Sequence, residues 1–66
     1  MRLISTIHKA AEALTVKTYK DTEWNEYRVK TYIEGQHQID ADYHTDDKQD
    51  ALDTARGIVA RYTATA

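Results

Sequence analysis

Asp40, Asp42 and His44 recur at every second position, with His37 just before them, so a strand through this segment would turn two carboxylates and an imidazole to one face. A divalent metal can use such a donor set. Strand-face aspartates and histidines are more often solvated or cross-paired, and no metal is expected here. Nucleophilic chemistry has less to work with: the chain holds a single serine, Ser5, no cysteine and no glycine-rich phosphate loop. No pair of carboxylates is expected in a dry pocket that would tune its proton affinity. The expectation is a protein that is not an enzyme, without cofactor or catalytic residues.

Charge is the stronger signal. From Glu34 to Asp53 the chain carries seven acids (Glu34, Asp40, Asp42, Asp46, Asp47, Asp50, Asp53) against Lys48 alone, near −6, whereas Met1 to Ile33 carries six cations and four acids, near +2. A two-ended field of this kind selects partners although the net charge is only −2. The first expectation is therefore a protein partner with a basic surface. Asp40, Asp42, Asp46, Asp47, Asp50 and Asp53 would mimic nucleic-acid phosphates, with Trp24 or an exposed tyrosine such as Tyr32 as the apolar anchor. A second expectation is nucleic-acid binding on a sheet face that gathers Lys17, Tyr19, Arg28, Lys30 and Tyr32, a basic and aromatic set on which single strands stack. A third is a homo-oligomer that sets the basic half of one copy against the acidic half of another.

The length of 66 residues makes one domain, residues 1–66. Such a chain buries roughly 60% of the surface exposed on unfolding, and without cysteine no disulfide can help. Absence of cysteine fits a reducing compartment, and a cytoplasmic protein is expected. The segment Leu3–Lys9 is too short and polar for a signal peptide, and no stretch approaches a membrane-spanning length. Five tyrosines and Trp24 with no phenylalanine favour half-exposed sheet faces and interfaces.

The elements that would position these groups follow from periodicity. Leu3, Ile4, Ile7, Ala11 and Leu14 fall on one helical face and Ala10-Ala11-Glu12-Ala13 adds helix formers, which predicts a helix over 2–12. Alternation from Leu14 to Lys20 predicts a first strand, and Asp21-Thr22-Glu23 a turn. Tyr27–Ile33 is the second strand, Gly35 the reversal and Gln38–His44 the third strand. A register joining the apolar faces pairs Ile33 with Ile39 and Val29 with Tyr43, and on the outer face Lys30 with Asp42, Tyr32 with Asp40 and Arg28 with His44. A last helix carries the stripe Ala51, Leu52, Ala55, Ile58, Val59 and Tyr62, with Asp46 as N-cap, Gln49 completing a capping box, and a fraying tail from Thr63 to Ala66. The predicted architecture is α+β: αβββα, a three-stranded antiparallel meander with two helices on one face. Its core would be Leu3, Ile7, Leu14, Val16, Val29, Ile33, Ile39, Leu52, Ala55, Ile58 and Val59.

The order helix, meander, helix, together with the Tyr27–Ile33 strand and Gly35, resembles the double-stranded RNA-binding domain over nearly the whole chain. That resemblance implies the αβββα fold, and in the family a lysine cluster opening the last helix grips phosphates. Here the corresponding positions read Asp46-Asp47-Lys48-Gln49-Asp50, which reverses the sign of the phosphate site. The family's Gly-Pro-His-like loop is replaced by Asp21-Thr22-Glu23-Trp24-Asn25-Glu26, so both RNA contacts are absent. In size and charge the chain is similar to small inhibitors encoded by phages and mobile elements, such as anti-CRISPR proteins. The similarity implies a stoichiometric blocker of a nucleic-acid site.

Overall fold

A computed structural model describes residues 1–63. Five strands, β1 (Arg2–Lys9), β2 (Leu14–Asp21), β3 (Glu26–Ile33), β4 (Gln36–His37) and β5 (Tyr43–Thr45), precede one helix, α1 (Lys48–Thr63). The sheet is antiparallel in the order β1-β2-β3-β4, with β5 also pairing β3 beyond β4. The fold is thus α+β with a single helix, which corrects the two-helix αβββα expectation.

The predicted first helix is a strand. Only Ala10–Glu12 winds, as a 3-10 turn closed by Ala13 in the left-handed region. Ile4, Thr6 and Ile7 are β-branched, and an extended segment there satisfies the backbone of β2, whose alternation is strong. The spacing Leu3, Ile4, Ile7 fitted a helix because three apolar residues in five positions fit either period. Leu3 consequently leaves the expected core and is 48% exposed.

The predicted third strand is broken in two. Glu34 and Gly35 both take positive φ, 53° and 80°, and close a two-residue hairpin that pairs Ile33 with Gln36 and Tyr32 with His37. Beyond it, Val29 meets Tyr43 and Arg28 meets His44, as the sequence register proposed. The two registers differ by three residues. Ile39–Ala41 absorbs that difference as a 3-10 turn, which leaves Ile39 74% exposed and corrects its assignment to the core and to Ile33. The same slip removes the expected Tyr32–Asp40 and Lys30–Asp42 pairs, since Tyr32 now faces His37 and Asp42 lies outside the ladder.

The helix begins one residue late for its predicted cap. Asp47, not Asp46, is the N-cap: its Oδ1 accepts the Gln49 backbone N–H at 3.0 Å, while Thr45 Oγ1 accepts that of Asp47. From there Ala51, Ala55, Ile58 and Val59 seat on Leu14, Val16 and Val29, with Ile7, Tyr27, Ile33 and Tyr62 packed around them. Leu52, expected inside, is only half-buried. The fraying expected of the tail beyond Thr63 lies outside the described residues.

Candidate functional site

Because α1 covers one face of the sheet, the pleat turns the alternate residues of β2 and β3 to the other. On that open face Lys17 stands directly opposite Lys30, Tyr19 opposite Arg28 and Thr15 opposite Tyr32. The five basic and aromatic residues singled out from the sequence are therefore brought together. The diagonal neighbours interact: Lys17 Nζ lies 5.4 Å from the Tyr32 ring centroid, and Lys30 Nζ lies 5.7 Å from that of Tyr19.

The five cations and aromatics are not equivalent. Arg28 is already committed, with a guanidinium nitrogen 2.9 Å from Glu26 Oε1 and 3.4 Å from Asp21 Oδ2. Lys17 and Lys30 take part in none of the ion pairs among the described residues. Two ammonium groups directly opposite across an antiparallel pair repel. Cation–π contacts at an exposed site return only about 0.5–1 kcal/mol each. The face is thus arranged around an unneutralised pair of positive charges.

Tyr32 links this pair to the rim. Its ring stacks on His37, centroids 5.1 Å apart and planes 29° from parallel, and His37 Nε2 lies 2.7 Å from Asp42 Oδ1. Burial, then the charge and hydroxyl of Tyr19, then the Asp42 charge hold the Tyr32 phenol above its ordinary proton affinity. Tyr32 therefore stays neutral, an aromatic surface with a hydroxyl donor. His37 was considered in the sequence only as a metal donor. Its signal was the Glu34-Gly35 turn, since a two-residue hairpin there must set it opposite Tyr32.

The acidic residues are distributed differently from a free docking face. Asp42 meets His37, Asp47 caps α1, Asp50 Oδ2 accepts the Tyr43 hydroxyl at 2.6 Å, and Asp53 accepts from Gln49 at 3.0 Å and from Arg56 at 3.4 Å. The Asp50 contact raises the Tyr43 phenol above its ordinary pKa, its first cause, with burial second. Asp40, on the Ile39–Ala41 turn, and Asp46, just before the cap, are exposed and have no such partner. Among the described residues no group of three or more His, Cys, Asp or Glu side chains is placed to hold a metal ion.

Trp24 occupies the tip of the β2–β3 hairpin and is 71% exposed. The tip is shaped by Asp21, whose Oδ1 accepts the N–H groups of Glu23 at 3.1 Å and Trp24 at 3.3 Å, and by Asn25 at φ 51°. Comparison with protein-family models, with curated proteins and with solved structures gives no match for the chain.

Proposed function

We propose that the open sheet face binds single-stranded nucleic acid. The observation that carries this reading is the Lys17–Lys30 pair, unneutralised by any carboxylate and flanked by Tyr19, Tyr32 and His37. A phosphate set between the two ammonium groups relieves their repulsion. Each lysine gives up only a weak ring contact to reach it. Release of the lysines uncovers the tyrosine faces, where bases stack for about 1–3 kcal/mol each. Binding would be sequence-tolerant, since the face offers charge and rings, not a fixed set of donors for base edges.

The test is titration of a labelled oligothymidylate with wild type, Lys17→Glu and Lys30→Glu. Wild type should bind at low salt, and each reversal should abolish binding. Loss of function through unfolding is not expected, because either change replaces a like-charge pair by an opposite-charge pair and should raise stability by a few tenths of a kcal/mol.

The acidic surface supports a second reading, docking on a basic protein, and the observation in its favour is Trp24, a large exposed ring of the kind that anchors interfaces. Four of its six aspartates already have structural partners, which favours the sheet face. Under the docking reading the lysine reversals would be silent, and charge reversal at Asp46 and Asp47 would weaken association with the basic partner.

A further inference from the structure

β1 is the long strand with a free side: it pairs β2 alone, and along its other side it has no strand partner among the described residues. The opposite rim is blunted, because β4 and β5 span two and three residues and the Ile39–Ala41 turn interrupts them. Two charges near β1 are also unused. Arg2 at its start is exposed, Glu12 just past its end is half-buried, and neither joins an ion pair among the described residues. An eight-residue strand separates them by roughly 26 Å, so they cannot meet within one chain. Beside Glu12 lies an open groove of about 540 Å³, floored by Ala10, Ala11, Val59 and Ala60.

We propose that β1 pairs antiparallel with β1 of a second copy. The regular part of the strand is Ser5–Lys9, because the ladder to β2 slips between Leu3 and Ser5. Antiparallel self-pairing about a two-fold axis normal to the sheet must oppose residues of the same face. Centring on Ile7 uses the whole regular stretch and sets Ile7 against Ile7, Thr6 against His8 and Ser5 against Lys9, so no cation faces a cation. Continued outward, the register brings Ile4 of the second copy to Ala10, at the groove, and Arg2 to Glu12, twice by symmetry. The unpaired edge, the groove and both idle charges are satisfied by one contact. Charge complementarity between Arg2 and Glu12 is what identifies the occupant as a second copy.

Closure follows from the difference between the rims: with only one edge open, pairing stops at two chains. The same axis keeps both helices on one side and sets the two Lys17–Lys30 faces side by side on the other. This dimer does not depend on the nucleic-acid reading and is tested without nucleic acid.

Sedimentation of the full chain from micromolar to millimolar concentration should show a dimer of twice 7.6 kDa. Arg2→Glu and Glu12→Arg should each raise its dissociation constant about tenfold, for two exposed ion pairs lost, and the double exchange should restore it. Circular dichroism of each variant checks that the surface change leaves the fold intact. A monomer throughout, single reversals without effect, or a double exchange as weak as the singles would overturn the proposal. As a second measurement, Thr6→Cys and His8→Cys chains mixed and oxidised should form the mixed disulfide in preference to either homodimer; a statistical mixture would contradict the register.

Discussion

Thr18 and Thr31 are fully buried, and their hydroxyls have no hydrogen-bond partner. Each sits on the helix-facing side of a central strand, where burial of a polar group without a partner costs about 1–3 kcal/mol. Valine has nearly the same shape. Thr18→Val and Thr31→Val should therefore each stabilise the fold by about 1 kcal/mol, read as an upward shift of the denaturant midpoint at unchanged slope. Tyrosine ionisation gives a second residue-scale test. Tyr32 and Tyr43 hold their protons more tightly in the folded state, Tyr32 chiefly through burial and Tyr43 through Asp50. Their contribution is present below the unfolded value near 10 and is lost as pH rises through the higher folded values. Replacement by phenylalanine at either position should remove part of the alkaline loss of stability, followed by circular dichroism against pH, and remove the late component of the phenolate absorbance. The sequence revealed that Lys17, Tyr19, Arg28, Lys30 and Tyr32 share a face, since alternation alone decides it. It did not reveal that Arg28 is spent on Asp21 and Glu26, because that depends on how β2 and β3 pair across the hairpin.

Among the elements, β2, β3 and α1 were legible and β1 and the third strand were not. A strand from Leu14 and another to Ile33 alternate cleanly, and the stripe Ala51, Ala55, Ile58, Val59 has a single helical reading. In β1 the apolar spacing satisfied both periods, and tertiary pairing decided against local helix formers. The third strand failed on turn chemistry: a hairpin loop of two residues at Glu34 and Gly35 imposes one register, the β5 pairing imposes another, and three residues must leave the sheet. Helix capping was missed by one residue because Asp46 and Asp47 are both competent caps. The structure distinguishes them. Asp47→Ala should destabilise the protein by about 1 kcal/mol through the lost bond to the Gln49 N–H, whereas Asp46→Ala should change stability little, as thermal melts of the two variants would show.

At the scale of the whole molecule, the charge swing legible in the sequence survives, but its two ends differ in how much of their charge is spent. Acids on the Glu34–Asp53 segment are drawn into a cap, two tyrosine-side contacts and a helix pair, while the net-positive segment keeps Lys17 and Lys30 unmatched on an open face. Natural folds tend to break local rules where function requires it, and a like-charge pair at the centre of a sheet is such a break. The account therefore predicts that stability and binding respond to Lys30→Glu in opposite directions. Its most direct test is the affinity of the full chain for a labelled oligothymidylate measured across salt concentration, wild type beside Lys30→Glu. Two neutralised phosphates should give a slope of log affinity on log salt near −1.4, from about −0.7 per phosphate for single strands, with binding absent in the variant although its unfolding midpoint is equal or higher. No wild-type binding at low salt, or equal binding by the variant, would contradict it.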